Sequence, residues 1–219
     1  MDVKACIFDL DGVIVDTAKY HYLAWKRLAE ELDINFTEED NEELKGVSRM
    51  DSLDIILRKG KKEISQEKKE ELAARKNEWY LEFVNEMKPG DELPGARHFL
   101  DTLKENNIKI GLGSSSKNAK LCLSLLDMTD YFDVIVDGTM ITKAKPDPQI
   151  FLMGAEKLSE RVENSIVFED AIAGIESAQN GGFKVVGIGD AKILDKADIV
   201  RSSLAEVSLD ELKSLNNPK

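Results

Sequence analysis

The sequence predicts an α/β protein: a Rossmann-like, doubly wound parallel sheet core with an inserted all-helical domain. Three observations predict it. Apolar runs of strand length alternate with helical patterns from residue 89 onward. The segment 17–87 carries helical periodicity and no convincing strand. At 219 residues the chain is long enough for one substantial core and a small second domain.

The first run, Ala5–Phe8, and four later ones, Ile108–Leu112, Asp133–Val136, Ser165–Phe168 and Val185–Ile188, are short apolar segments. Such runs read as strands buried on both faces, hence parallel. Helical patterns separate them near 96–106, 117–127, 148–158 and 171–180. Strands and helices alternating at this spacing form right-handed βαβ units. The α/β core is therefore assigned to 1–16 and 88–219.

Within 17–87, His21, Trp25, Leu28 and Leu32 recur at helical spacing and share one face. Leu72, Lys76, Trp79, Phe83 and Met87 do the same. Lys76 interrupts an apolar stripe, so it either snorkels to solvent or meets an anionic or hydroxylated partner. His21 reads as a core histidine satisfied by a neighbour or as a site residue. Ligands of open α/β sheets bind beyond the carboxyl ends of the strands. The insertion springs from that edge, which places it as a lid.

Composition narrows the function classes. No stretch approaches the roughly 18 apolar residues of a membrane span, and a net charge of −12 disfavours nucleic acid and anionic membranes as partners. Cys6 and Cys122 lie far apart without metal or redox spacing, as in a reduced, cytoplasmic protein. The N-terminus runs directly into the first strand, an arrangement unlike a cleavable signal peptide.

Four motifs follow four of the strands. Phe8-Asp9-Leu10-Asp11-Gly12 puts two carboxylates at i and i+2 where a strand ends. Asp9 suits a nucleophile and Asp11 a general acid/base, with Gly12 turning the chain away; Asp11-Gly12 also reads as a plain turn. Leu112-Gly113-Ser114-Ser115-Ser116-Lys117-Asn118 opens a helix with hydroxyls and free N–H groups, as an anion site or an ordinary cap. Lys143-Ala144-Lys145-Pro146-Asp147-Pro148 supplies Lys145, a cation for phosphate or carboxylates or a solvated loop lysine. Phe168-Glu169-Asp170 supplies hard oxygen ligands for Mg²⁺, Asp170 doubling as a helix cap. Nucleophile, hydroxyl, cation and metal carboxylate all fall at one sheet edge, which points to Mg²⁺-dependent phosphoryl transfer.

Asp9-x-Asp11, Ser114, Lys145 and Glu169-Asp170, in that order, resemble the four motifs of the haloacid dehalogenase superfamily along the whole chain. The second aspartate is similar to the phosphatase and phosphomutase branch. Asp16-Thr17-Ala18, Tyr20-His21, Ala24-Trp25-Lys26, Leu44-Lys45-Gly46-Val47-Ser48-Arg49 and Asp51-Ser52-Leu53 resemble the members that interconvert β-glucose 1-phosphate and glucose 6-phosphate. That resemblance implies an aspartyl phosphate on Asp9, Asp11 as acid/base, and Mg²⁺ on Asp9, Glu169, Asp170 and the Asp11 carbonyl. It further implies that Ser114 and Lys145 bind the transferring phosphoryl, while Ser115, Ser116, Lys117 and Asn118 line the site.

By the same resemblance Arg49, in Lys45-Gly46-Val47-Ser48-Arg49, grips the distal phosphate, a role suited to a guanidinium. Thr17 lies at the hinge, His21 orients the acid/base machinery, Trp25 counts among the substrate-binding residues, and Lys76 reaches the sugar. Ala171 stands where mutases often carry Ser, and Ser115 replaces a common Ala. A monomer acting on hexose phosphates is expected. The alternatives are a sugar-phosphate phosphatase and, more distantly, a non-catalytic phosphosugar-binding protein.

Overall fold

A computed structural model describes residues 2–216. Its centre is a parallel sheet of six strands: β1 (Ala5–Phe8), β2 (Lys109–Gly113), β3 (Val134–Val136), β4 (Ser165–Glu169), β5 (Lys184–Ile188) and β6 (Ile199–Arg201). The order β3-β2-β1-β4-β5-β6 puts β1 in the middle, paired through Phe8 with Leu112 on one side and Phe168 on the other. The chain reverses its direction of winding at β1, so a crevice opens beyond the carboxyl ends of β1, β2 and β4. The five expected strands are present within a residue of their expected bounds. β6, an edge strand of three half-buried residues, is an addition.

Between β1 and the return to the sheet lie four helices, α1 (Ala18–Glu31), α2 (Glu38–Glu42), α3 (Arg49–Lys59) and α4 (Gln66–Val84). α2, α3 and α4 begin at Thr37, Ser48 and Ser65, whose side chains each accept from a backbone N–H three residues on. α1 packs on α4, and α4 on α3. The expected stripes meet there: Trp25, Leu28, Leu72, Trp79 and Met87 are buried, in one apolar cluster with Phe8, Leu10 and Ile14 below the sheet edge. Helices α5 (Ala96–Glu105), α6 (Ala119–Leu125), α7 (Gln149–Lys157) and α8 (Ile172–Asn180) connect the later strands, and α9 (Leu209–Asn216) follows β6. α7 and α8 cover the face holding Ile7, Phe151 and Ile175, while Phe8 and Phe168 stack at 4.5 Å beneath the other. Among the described residues no helix is long and apolar enough to cross a membrane.

Candidate active site

Asp9 is the first residue beyond β1, and its N–H still donates to the Phe168 carbonyl at 2.9 Å. The sheet register therefore fixes where its side chain points. One carboxylate oxygen accepts from the Asp11 N–H at 2.9 Å, and the other from Lys145 Nζ at 2.5 Å. Lys145 also donates to Glu169 Oε1 at 2.6 Å, and Glu169 Oε2 accepts from the Ala171 N–H at 2.8 Å. Gly174 makes this possible: a Cβ there would lie 1.7 Å from Glu169 Oε1. Burial works against the Lys145 ammonium, but the Asp9 and Glu169 charges outweigh it and raise its pKa.

The remaining carboxylates lack such pairing. Burial, with the Asp9 charge second, pushes Asp11 up to about 8, and its Oδ1 is buried without a hydrogen-bond partner. Asp170 is raised well above the usual range by burial and by Glu169 and Asp9. Its Oδ2 lies 4.0 Å from Lys45 Nζ and only 2.1 Å from where a Cβ on Gly12 would stand, at φ +83°. Glycine at position 12 thus provides both the turn and the room for Asp170.

Hard oxygen donors, crowded and short of counter-charge, fit a divalent cation such as Mg²⁺. Among the described residues, however, no three acidic, His or Cys side chains converge to enclose one unaided. Asp9 and Glu169, both expected as ligands, each place one oxygen on Lys145 and the other on a main-chain N–H, and every oxygen keeps a further lone pair. The expected set of Asp9, Glu169 and Asp170, completed by main chain, water and substrate oxygen, suits Mg²⁺.

A cavity of about 510 Å³ opens above these carboxylates, under the helices of 18–84. Every expected site residue lines it except Thr17, Ser114, Lys145 and Glu169. Ser114, Lys145 and Glu169 are buried in its floor. Ser114 continues β2, its N–H donating to the Val136 carbonyl at 3.0 Å. Its Oγ accepts from the Ser116 N–H at 3.2 Å, as Ser116 Oγ does from the Asn118 N–H, which orders the loop before α6 begins at Ala119 and leaves each hydroxyl its proton to donate. Thr17, read from the resemblance as a hinge residue, immediately precedes α1. It is fully buried, off the cavity wall, and its Oγ1 has no hydrogen-bond partner.

On the helical wall Lys76 Nζ lies 2.7 Å from His21 Nδ1 and over the Trp25 ring at 4.4 Å. Burial, reinforced by Arg49, lowers the Lys76 pKa far below the lysine range, and burial with Lys76 lowers His21. His21 also stacks on Tyr80 at 4.1 Å. Arg49 is the first residue of α3, set by the Ser48 cap, and its Nη2 donates to Asn77 Oδ1 at 2.7 Å. Asn118 Nδ2 donates to the same oxygen at 2.9 Å, and Ser115 Oγ donates to the Gly46 carbonyl at 3.0 Å. Sequence reasoning missed Tyr80 and Asn77. Tyr80, one position past Trp79, lies on the stripe's edge and was open to discovery; Asn77 carries no one-dimensional signal.

The chain matches the model of the haloacid dehalogenase-like hydrolase family over residues 6–188. It is 45% identical to the β-phosphoglucomutase of Bacillus subtilis over 96% of its own length and 94% of that protein's. It is 32% identical to a phosphorylated carbohydrates phosphatase of Thermotoga maritima over 97% and 100%. The crystal structure of β-phosphoglucomutase from Clostridium difficile superposes with a TM-score of 0.95 at 43% identity, covering 98% of this chain and 97% of that one. With strand-end aspartates, a buried lysine and a paired Glu-Asp all at one sheet edge, this chain belongs to the haloacid dehalogenase-like hydrolase family.

Proposed function

We propose that the protein is a β-phosphoglucomutase, converting β-glucose 1-phosphate to glucose 6-phosphate through an aspartyl phosphate on Asp9. The observation that carries the reading is the two-ended cavity. Asp9 and Asp11 face one end, and Arg49, without a carboxylate partner among the described residues, faces it from the helical side. A substrate phosphorylated at both ends, such as β-glucose 1,6-bisphosphate, needs both. The Bacillus and Clostridium relatives support the same reading.

Asp9 attacks phosphorus with the oxygen held in place by the Asp11 N–H or by Lys145. Asp9, Glu169 and Asp170 with the Asp11 carbonyl would hold Mg²⁺, which when bound would supply charge neutralisation for the transferring phosphoryl. Lys145 adds a fixed cation, and Glu169 keeps that cation charged and placed. Asp11 holds a proton near neutral pH in its buried setting, so it can protonate a leaving sugar oxygen and then deprotonate the next hydroxyl. His21 and Lys76 bound the sugar, and the helices of 17–87 act as a cap that keeps water from the aspartyl phosphate.

The Thermotoga relative favours a second reading, a sugar-phosphate phosphatase with water as acceptor. Supplying β-glucose 1-phosphate, Mg²⁺ and a trace of the bisphosphate separates them. Glucose 6-phosphate is the expected main product; free phosphate in excess of it overturns the mutase reading.

A further inference from the structure

We infer that Asn77 is a positioning residue that sets Arg49 and Asn118 as a pair to receive the non-reacting phosphate. The inference rests on the mutase reading. Asn77 lies on α4, half-buried, between the wholly buried Lys76 and the exposed Glu78. Its Oδ1 accepts from Arg49 on α3 at 2.7 Å and from Asn118, just ahead of α6, at 2.9 Å. An amide oxygen has two lone pairs, and both are in use. One atom therefore ties two helices of the insertion to the loop that follows β2, and brings together donors from both sides of the cavity.

The acceptor's neutrality matters as much as its position. Among the described residues no carboxylate lies within ion-pair distance of Arg49 or Lys76, in a chain carrying 42 acidic residues. A carboxylate would orient the guanidinium equally well, but it would neutralise the charge and compete with phosphate. The amide fixes Arg49 through one of five N–H groups and leaves its full charge for the ligand. When a sugar phosphate enters, its oxygens replace Asn77 Oδ1 as partner for both donors, so the cap is closed by one acceptor before binding and by another after it.

Two substitutions test this. Asn77→Ala removes the acceptor; Asn77→Asp keeps it and adds the charge. Asn77→Ala is expected to raise KM for β-glucose 1-phosphate about tenfold while kcat falls less than threefold. Phosphorylation of Asp9 by acetyl phosphate, which has no distal phosphate, is expected to slow no more than twofold. Asn77→Asp is expected to raise KM further, and it carries the test alone if the alanine variant melts more than a few degrees early. A KM within twofold of wild type for either variant, or losses with acetyl phosphate as large as with the sugar phosphate, overturns the inference. Failure of the mutase reading looks different: the wild type itself then yields free phosphate and no glucose 6-phosphate.

Discussion

Two charged groups face each other across the cavity, and they are built on opposite terms. At the strand ends carboxylates are in surplus. Lys145 is buried and doubly ion-paired at 2.5 and 2.6 Å, while Asp11 and Asp170 are left to share what positive charge remains. On the helical wall the cations are in surplus. Lys76 is held by a neutral imidazole and aromatic faces, and Arg49 by an amide. The first arrangement lacks only a cation and is anchored by sheet register. The second lacks an anion and is held by hydrogen bonds between mobile-length side chains. A buried charge without its partner costs several kcal/mol, so each half is completed by what the other half's ligand brings: Mg²⁺ below, phosphate above.

Breaking the lower half should have the largest effect. Asp9→Asn removes the nucleophile and is expected to lower turnover by about 10⁴-fold or more, the scale seen when a covalent nucleophile is lost. Residual activity above about 1% in a pure preparation would rule out Asp9 in that role. Asp11→Asn should come next, with a loss on the order of 10³-fold in kcat, within the range for a general acid/base. Here the discriminating measurement uses a leaving group that needs no proton, such as the aryl oxygen of a nitrophenyl phosphate. Phosphorylation of Asp9 by it should be largely retained, and an equal loss would make Asp11 structural instead.

Breaking the upper half should be milder and more selective. Arg49→Ala deletes up to two charge-assisted hydrogen bonds to phosphate, worth roughly 1.5–3 kcal/mol apiece. Isomerase kcat/KM is expected to fall about 10²-fold, while phosphorylation of Asp9 by acetyl phosphate falls far less. Parallel losses in the two assays would show that Arg49 supports the fold or the chemistry and not a distal phosphate.

The same contrast governs what the sequence reveals. Lys145 lies in the loop between β3 and α7, and Asp9 and Glu169 sit at strand ends, where a short apolar run followed by a charged residue is visible in one dimension. The strand pattern, the helical insertion and the placement of Asp9 beyond Phe8 could all be read from it. Glu169's engagement of both oxygens could not, because it depends on Gly174 admitting the carboxylate beside α8. β6 escaped because three half-buried residues, Ile199–Arg201, carry too little apolar pattern to register. Asn77 escaped for a deeper reason: its role lies in two donors contributed by residues 28 positions before it and 41 after it.

The smallest effect sharpens the comparison most. Asp170 has its pKa raised in the folded chain by burial and by Glu169 and Asp9. A carboxyl so raised supports the fold while protonated, fully so below its unfolded value near 3.9, and that contribution is lost as pH rises through the folded value. Above that folded value and without metal, its charge is therefore a cost that bound Mg²⁺ would offset. Asp170→Asn keeps the shape and deletes the charge, so its metal-free melting temperature should equal or exceed the wild type's. The wild type should then gain from added Mg²⁺: about 1.4 kcal/mol at ten times Kd, or roughly 3–6 °C for a chain of this size. The variant should gain almost nothing. If both melt together at every Mg²⁺ concentration, Asp170 is no ligand, and the surplus of carboxylate at the strand ends needs another explanation. A variant that melts lower without metal would instead mean that its approach to Lys45 outweighs the crowding, and the lower half would not be short of a cation at all.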